Sequence, residues 1–137
     1  MAEASETAQE SIGLVRHEDL IQPFVLHGSA IRGRMVRLDR ALNAILGRHD
    51  YPPIVSEQLA DMLLLAAMLS VNLPPGGVLT LQAKGDGIVP LMVADAQHDG
   101  GLRGHASLRA DAADELDRLS KASTPPPLTA TLGQGYF

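Results

Sequence analysis

The segment that decides the fold is Val78-Leu-Thr-Leu-Gln-Ala-Lys84, followed by Gly85-Asp86-Gly87 and then by Ile88-Val-Pro-Leu-Met-Val-Ala94. Apolar and polar residues alternate in the first part, which is typical of a strand with one buried face. An Asp-Gly pair between two such runs predicts a tight hairpin turn at Asp86-Gly87, because both turn positions favour positive φ. A third alternating run, Leu102 to Arg109, closes a predicted three-stranded antiparallel meander.

Two features refine this meander. Leu79, Leu81 and Ala83 share one face of the first strand, so we expect that face to point into the core. The run from Ile88 to Ala94 is apolar on both faces and contains Pro90. Because proline has no backbone N–H to donate, we expect this second strand to lie at a sheet edge or to be bulged there.

A long helix is predicted just before the meander, from Ile54 to Leu73. The run is too long for a strand, is rich in strong helix formers, and ends at the turn Pro74-Pro75-Gly76-Gly77. Every residue from Met62 to Leu69 is apolar. A helix that is apolar all round is buried on nearly all sides. The predicted core residues of this helix are Met62, Leu65, Ala66 and Leu69.

A membrane span is the alternative for this helix. A span needs about 18 or more uninterrupted apolar residues. Here Glu57 and Asp61 stand on one side of the apolar run, and Ser70 and Asn72 on the other. The sequence therefore favours a core helix of a globular domain.

The remaining elements are shorter. Strands are predicted around a break at Gly28-Ser29, and Asp39 is a predicted N-cap for a short amphipathic helix that ends near Gly47. A second amphipathic helix is predicted to carry an apolar stripe of Ala112, Ala113, Leu116 and Leu119. The predicted bounds are strands Phe24–His27 and Ala30–Leu38, helices Arg40–Gly47 and Asp111–Ala122, a strand Leu128–Leu132, and a bend at Gly133–Phe137 that leads into a further strand.

These elements together predict an α+β fold, in which antiparallel sheets are layered with a long buried helix and short amphipathic helices. Residues 1–16 are small and polar, so we expect a disordered tail. Residues 17–137 are expected to form part of one domain. Because the pattern indicates that the sheet should continue beyond the last strand, we expect the chain to be a fragment.

Composition narrows the function classes. The net charge of −5 and the pI near 5.4 argue against nucleic acid or an anionic membrane as a partner. The chain has no cysteine, so it can hold no disulfide, thiolate nucleophile or cysteine zinc site. The N-terminus carries Glu3, Glu6 and Glu10 and no basic segment followed by an apolar one, which is unlike a secretory signal. A cytoplasmic location is expected.

No catalytic or metal constellation stands out. Arg32 and Arg34 share a strand face that could bind phosphate, but a solvated face is the better interpretation. His49 beside Asp50 could serve as a general base, but no nucleophile accompanies the pair, and a hydrogen-bonded turn is preferred. Lys84-Gly85-Asp86-Gly87 lacks P-loop spacing. The histidines show no metal-binding spacing, so no metal is assigned to this chain; they are His17, His27, His49, His98 and His105.

Several motifs in order resemble a known family. The resemblance runs from about His17 to the end, and its motifs keep both the order and the spacing of that family. It is to the N-terminal domain of the redox-regulated thirty-three-kilodalton heat-shock chaperone, the HslO family of bacterial holdases. The motifs are Ile31-Arg32-Gly33, His49-Asp50-Tyr51-Pro52, the helix at Leu59–Leu69, Gly85-Asp86-Gly87, Leu102-Arg103-Gly104 and Gly133-Gln-Gly-Tyr136.

The resemblance implies a cytoplasmic stress chaperone that binds unfolded client proteins without hydrolysing ATP. It implies that a linker and a zinc domain with four cysteines follow, and that oxidation releases the zinc, forms disulfides and exposes apolar surface. It also implies activation with dimerisation. This chain stops before the linker, so the switch maps onto none of its residues. We expect it to bind no zinc by itself and to show no redox response.

Two other functions stay open at this point. One is an enzymatic or small-molecule-binding domain, with a pocket around His49, Asp50 and Arg32. The other is a structural assembly domain. An exposed apolar surface favours the chaperone, whereas a deep polar pocket favours the enzyme. Because uncovered sheet edges and apolar patches invite pairing, we also expect the chain to associate with itself and to hold clients without oxidation.

Overall fold

The structure is a computed structural model that describes residues 19–136. It confirms the predicted α+β class. The predicted tail at 1–16, His17 and Phe137 lie outside the described residues. The elements are β1 (Leu20–Val25), β2 (Arg32–Arg37), α1 (Arg40–Leu46), α2 (Pro53–Ser70), β3 (Val78–Gly85), β4 (Leu91–Gln97), β5 (Leu102–Ser107), α3 (Ala113–Ser120), α4 (Leu128–Leu132) and β6 (Gly135–Tyr136).

Two antiparallel sheets are present in the described part. β1 and β2 form a two-stranded sheet, and the larger sheet has the order β5-β4-β3-β6. The predicted meander is confirmed as β3-β4-β5, and Ala83 lies buried on the inner face as predicted. β1 begins at Leu20 rather than at Phe24, so the sequence placed the start of this strand too late.

The predicted tight turn at Asp86-Gly87 is wrong. Lys84 pairs with Leu91, so a longer connection joins the two strands, and neither turn residue has positive φ. The reason is tertiary. The Gly87 amide donates to the Leu132 carbonyl at 2.7 Å, and a Cβ at Gly87 would collide with the Thr131 carbonyl oxygen. The connection between β3 and β4 therefore packs along the C-terminal segment and does not form a tight turn.

Pro90 marks a second correction. β4 is a central strand with partners on both sides, not an edge strand. It is also not bulged at Pro90, because the strand begins one residue later, at Leu91. The Pro90 carbonyl accepts from the Gly85 amide at 3.1 Å, so Pro90 extends the hydrogen bonding between β3 and β4 without needing an N–H of its own.

α2 packs one side on the inner face of the larger sheet and supplies more buried apolar residues than any other described element. It begins at Pro53 and ends at Ser70, with proline in the first turn, where a missing N–H costs nothing. Eight of its 18 residues are buried, so the helix is not buried on nearly all sides. The fully buried side chains of the core include Val55, Leu59, Leu63, Val89 and Met92.

The core prediction for α2 is half right. Met62 and Ala66 are buried as predicted, but Leu65 is 47% exposed and Leu69 is 40% exposed. Both leucines lie on a side of α2 that borders open grooves, with β3 beside Leu65 and the β1–β2 hairpin beside Leu69. No described element covers that side completely, so these apolar side chains stay in contact with solvent.

α2 also has the length and apolar character of a membrane span. It comprises 18 residues with a mean hydropathy of 1.3, and 44% of that window is buried inside the domain. The core helix of a globular protein meets the same criteria. Its packing on the sheet therefore agrees with the interpretation as a core helix.

The short helices α1 and α3 are confirmed, with two corrections. Asp39 stands at the N-cap of α1 but makes no side-chain capping bond. Instead, Asp19 Oδ1 accepts from the Asp39 amide at 2.7 Å. In α3, Ala112 and Leu119 are buried and Leu116 packs on the core, but Ala113 is exposed, so the predicted stripe is narrower.

The predicted strand at Leu128–Leu132 is wrong, because the segment is the short helix α4. Pro127 fixes an extended conformation immediately before it, and Gly133, with φ of 72°, ends it. The Thr131 hydroxyl and the carbonyls of Thr131 and Leu132 are all bonded to other segments. These contacts override the strand preference of an alternating Leu-Thr-Ala-Thr-Leu run. β6 lies within the predicted bend at Gly133–Phe137, so pairing with β3 begins earlier in the chain than predicted.

Candidate functional site

An open groove lies between α2, β3 and the segment that leads into α4. Its volume is about 660 Å³. Apolar side chains form its floor, and polar side chains lie along its rim. We call it the α2–β3 groove; it is lined by Gln58, Asp61, Met62, Leu65, Thr80, Leu81, Gln82, Pro126, Pro127 and Leu128.

Three elements supply the apolar floor for separate physical reasons. Met62 and Leu65 are three residues apart on α2, so they lie on neighbouring parts of the helix surface. Leu81 comes from the inner face of β3, where every second side chain points towards the helix. Leu128 begins α4, directly after the prolines that border the groove. The groove is thus built on a helix and a strand, which are rigid supports.

A buried hydrogen-bond network holds the α4 side of the groove in place. The Thr131 hydroxyl donates to Gln58 Oε1 at 2.6 Å and also lies 2.9 Å from the Leu128 carbonyl oxygen. Gln58 Nε2 donates to the Pro127 carbonyl at 3.4 Å. Because Gln58 and Thr131 are both buried, these bonds satisfy groups that could not reach water. They tie the proline segment to α2.

The charges around the groove are sparse. Among the described residues that line it, Asp61 is the only one with an acidic or basic side chain. On the opposite face of the sheet, Asp95 Oδ1 accepts from the Thr80 hydroxyl at 2.7 Å, and Arg103 Nη2 lies 2.6 Å from Asp95 Oδ2. The hydrogen bond from Thr80, followed by that from Arg103, holds the pKa of Asp95 below its ordinary value of 3.8.

A second apolar surface lies on the hairpin of β1 and β2. We call it the hairpin surface. Its side chains are between 46% and 65% exposed, which is high for large apolar residues. Beside it, a groove of about 520 Å³ separates the hairpin from Met68 and Leu69 of α2. The exposed residues of the hairpin surface are Phe24, Val25, Leu26, Ile31 and Met35.

The structure does not bring the alternative site residues together. Arg32 lines the groove beside Leu69, near the C-terminal end of α2, whereas His49 and Asp50 come just before its N-terminus. α2 is about 27 Å long at 1.5 Å per residue. Arg34, on the same strand as Arg32, donates to Asn72 Oδ1 at 2.6 Å.

His49 takes part in an aromatic cluster rather than in a pocket. Its ring centroid lies 5.1 Å from that of Tyr51 and 5.6 Å from that of His105. The Tyr51 hydroxyl accepts from the Ala106 amide at 3.1 Å and lies 3.4 Å from His105 Nδ1. These contacts tie the connector before α2 to β5. This structural role accounts for the presence of His49, Tyr51 and His105 at these positions.

The zinc site that the resemblance implies does not fit these residues. The whole chain lacks cysteine. Within residues 19–136, no group of three or more histidine and acidic side chains is placed to hold a metal ion. That the chain binds no zinc stays a prediction.

Sequence reasoning missed the α2–β3 groove, although the sequence contains a signal for it. Glu57, Asp61, Leu65 and Leu69 are spaced four residues apart, so they form one stripe along α2. All four are exposed. Two carboxylates at the start of the stripe indicate that the leucines that follow also face solvent. The position of Pro126 and Pro127 opposite this stripe could not be predicted, because it depends on the helix α4.

The fold and this geometry define a class: an α+β domain with an open apolar groove and dispersed polar groups. The model of the family described as Hsp33 protein matches residues 19–137, and the chain belongs to this family. The resemblance of the sequence motifs is thereby confirmed.

Relatives in several bacteria carry the name 33 kDa chaperonin. The chain is 38% identical to that of Caulobacter vibrioides over 120 residues, which is 88% of this chain and 39% of the relative. It is 37% identical to a Pseudomonas aeruginosa relative over 95 residues, 69% of this chain and 32% of the relative. For Sodalis glossinidius the identity is 31%, over 88% of this chain and 38% of the relative. The chain thus spans between about a third and two fifths of the length of these relatives.

Proposed function

We propose that this chain is the client-binding part of a molecular chaperone that holds unfolded proteins without hydrolysing ATP. Family membership and the name 33 kDa chaperonin of the relatives support the proposal. The observation that carries it is the α2–β3 groove, in which Leu65 is 47% exposed above an apolar floor. Binding rather than catalysis is proposed, because His49, Asp50 and Arg32 do not converge on one pocket.

The groove suits unfolded chains for a physical reason. Unfolded polypeptides expose apolar side chains, and burying them releases about 25 cal/mol per Å² of apolar surface. A shallow apolar floor accepts many different side chains, because it makes few directional bonds. The polar rim of Thr80 and Gln82 keeps the surface hydrated when no client is present. Weak specificity and reversible binding are the properties that a holding chaperone needs.

The finer features of the proposal come from the family resemblance. We propose a cytoplasmic protein that serves in the stress response, with neither nucleic acid nor membrane as a partner. Redox regulation, through zinc and disulfide bonds, belongs to the cysteine domain of a longer protein. Because this chain has no cysteine, we propose that its own client binding is independent of oxidation.

Self-association is proposed through the hairpin surface. A two-stranded hairpin is marginally stable alone, and this one exposes Phe24, Val25 and Met35. Packing against the same surface of a second copy would cover these side chains and leave the α2–β3 groove for clients. Sedimentation at about tens of micromolar tests this. A dimer that becomes a monomer in Met35→Asp is expected, and a wild-type monomer would refute the self-association.

The client proposal is tested by light scattering of a protein that unfolds and aggregates on heating. The whole chain should suppress the scattering equally with and without reductant. Leu65→Ser, in the groove, should lose most of this suppression, because a polar side chain interrupts the apolar floor.

Val71→Ser is the matched control, since Val71, directly after α2, is also exposed but does not line the groove. It should suppress scattering as well as the unsubstituted chain does. Equal loss in both variants would assign the effect to general surface hydrophobicity. Scattering that a several-fold excess of the unsubstituted chain leaves unchanged would contradict the proposed function.

A further inference from the structure

A pair of arginines lies on the side of the β1–β2 hairpin that faces α2. Arg32 and Arg34 are two residues apart on β2, so their side chains leave the same face of the strand. Both line the groove of about 520 Å³ whose other wall is formed by Met68 and Leu69. The sequence favours a solvated face for these arginines, but the face borders the apolar end of a helix. We call this cleft the hairpin groove.

Internal contacts hold both walls of the hairpin groove. Arg34 Nη2 donates to Asn72 Oδ1 at 2.6 Å, which joins β2 to the residues directly after α2. At the other end of the hairpin, Asp19 Oδ1 accepts from the Asp39 amide at 2.7 Å, and Asp19 Oδ2 accepts from the Ala41 amide at 3.1 Å. β1 and β2 pair along their full length. The hairpin therefore has a defined position relative to α2.

An aromatic ring forms part of the rim of the hairpin groove. Phe24 faces Gly33 across the hairpin, and a Cβ at Gly33 would collide with the ring. The ring therefore lies over Gly33, which a residue without a side chain permits. Phe24 and Leu69 are both exposed and both line the groove. Apolar surface is thus present on both walls, beside the two guanidinium groups.

The charge of the hairpin groove is positive. Among the described residues that line it, Arg32 and Arg34 are the only ones with an acidic or basic side chain. Neither forms an ion pair within the part of the chain that the structure describes. The bond from Arg34 goes to a neutral amide. Apolar walls of low dielectric strengthen the attraction of these cations for an anion, although the chain as a whole has a net charge of −5.

We propose that the hairpin groove is a second client-binding site, which selects an acidic residue flanked by apolar residues. This rests on the proposed function and adds the preferred chemistry of the client. The carboxylate accepts hydrogen bonds from the guanidinium of Arg32 and from the N–H groups of Arg34 that Asn72 does not use. The apolar neighbours of the carboxylate pack on Met68 and Leu69.

The two grooves along α2 carry opposite charges. Asp61 lines the α2–β3 groove, whereas the two arginines line the hairpin groove. Leu65 borders the first groove and Leu69 the second, and four residues correspond to about 6 Å along a helix. One unfolded segment can therefore extend from one groove to the other. This continuity favours a polypeptide as the occupant, because a small anion would use the arginines alone.

The hairpin groove and the proposed self-association use different faces of β2. Met35 follows Arg34 directly, so its side chain leaves the opposite face of the strand. Packing of a second copy over Met35 therefore leaves the arginines accessible to a client.

The test compares two labelled peptides that differ at one position. One has a central glutamate between leucine and phenylalanine residues, and the other has glutamine there, which keeps the shape but removes the charge. The whole chain should bind the glutamate peptide with about fivefold or more higher affinity, because hydrogen bonds between charged groups are stronger. Equal affinities, or tighter binding of the glutamine peptide, would overturn the proposal.

Arg32→Gln tests the groove itself, and Arg37→Gln is its matched control. Both remove one positive charge from β2, but Arg37 does not line the groove and its side chain leaves the opposite face of the strand. Arg32→Gln should weaken binding of the glutamate peptide by about fivefold or more, whereas Arg37→Gln should change it by less than about twofold. Equal losses in the two variants would assign the effect to net charge and would overturn the proposal.

Leu69→Ser and Leu65→Ser locate the peptide on α2. Both leucines are exposed, but they line different grooves. Leu69→Ser alone should weaken the glutamate peptide, by about threefold or more, because it removes apolar wall. Melting temperatures near that of the unsubstituted chain show that both variants are folded.

Two results of these measurements would overturn the proposal. Weaker binding in Leu65→Ser alone would place the peptide in the α2–β3 groove. Displacement of the glutamate peptide by inorganic phosphate at the same concentration as by unlabelled peptide would assign the hairpin groove to small anions.

The client-scattering assay separates this proposal from the proposed function. If the chain suppresses scattering but binds the two peptides alike, the second site is refuted while the proposed function stands. If the chain binds the glutamate peptide selectively but suppresses no scattering, the proposed function is refuted while the preference of the groove for acidic segments stands. If the chain neither suppresses scattering nor binds either peptide, both are refuted.

Discussion

The two sides of α2 both carry leucines but lie in different surroundings. On the sheet side, Leu59 and Leu63 are fully buried against β4 and β5. On the other side, Leu65 and Leu69 continue a stripe that begins with Glu57 and Asp61, and all four are exposed. The difference teaches that leucine content alone does not locate the core of this domain. The carboxylates one and two turns earlier distinguish the two sides.

The sheet side should carry most of the stability, which Leu63→Ala tests. Leu63 is fully buried, and its methyl groups lie next to the position of Gly104, where a Cβ would meet them at 3.1 Å. The substitution removes buried methyl groups and leaves a cavity, so it should cost about 2–5 kcal/mol. Urea unfolding measures this cost, and a change below about 0.5 kcal/mol would contradict the assigned packing.

The hydrogen bonds between α2 and α4 should make the next largest contribution to the free energy of unfolding. Thr131→Val removes the hydroxyl that donates to Gln58 Oε1 and leaves that buried acceptor without this partner. The expected cost is about 1–3 kcal/mol. Because the same network positions Pro127, binding of a labelled unfolded client should also weaken. Thr129→Val serves as the control, since Thr129 is exposed on the same helix and should change neither property.

The outer face of the sheet should contribute less, and in a pH-dependent way. Asp95→Asn loses the ionic bond to Arg103 and should cost about 0.5–1.5 kcal/mol near pH 7. Folding lowers the pKa of Asp95 below 3.8, so its stabilisation is present above that pH and is lost as the pH falls through the folded pKa.

Urea midpoints of the two proteins should therefore differ near pH 7 and converge at about pH 3 or below. The side chain of Asp95 is only 14% exposed, so salt should reduce the difference only in part. A difference that grows as the pH falls would show that another group is responsible.

The smallest effect on stability is expected on the groove side of α2. Leu65→Ala should cost less than about 1 kcal/mol, because the side chain is 47% exposed and leaves no closed cavity. The same substitution should reduce client binding. A cost as large as that of Leu63→Ala would mean that the two sides of α2 are packed alike, and the comparison would fail.

Much of this fold could be predicted from local sequence. The alternation of apolar and polar residues predicts β3 and β5. The length and composition of the run after Pro53 predict α2. The failures have tertiary causes. The segment Leu128–Leu132 alternates like a strand, but Pro127, Gly133 and the bonds to Gln58 make it a helix. The Asp86-Gly87 pair is typical of a tight turn, but the Gly87 amide donates instead to the carbonyl of Leu132, the last residue of α4.

The candidate site was less accessible to sequence reasoning than the fold. The stripe from Glu57 to Leu69 was visible in the spacing, but its significance depends on which side of α2 meets the sheet. The position of Pro126 and Pro127 beside the groove depends on the helix α4 and on its bonds to Gln58. Neither fact follows from local propensity, because both are set by contacts between segments far apart in sequence.

The most direct test of the central claim is backbone hydrogen exchange at short labelling times, with and without a permanently unfolded client. The claim is that the client occupies the α2–β3 groove, which Thr80 and Gln82 line from β3. The amides of Thr80 and Gln82 should then exchange more slowly when the client is bound, while those of β5, on the far edge of the sheet, should be unchanged. Protection that is confined to the hairpin surface, with exchange in β3 unaltered, would contradict this account.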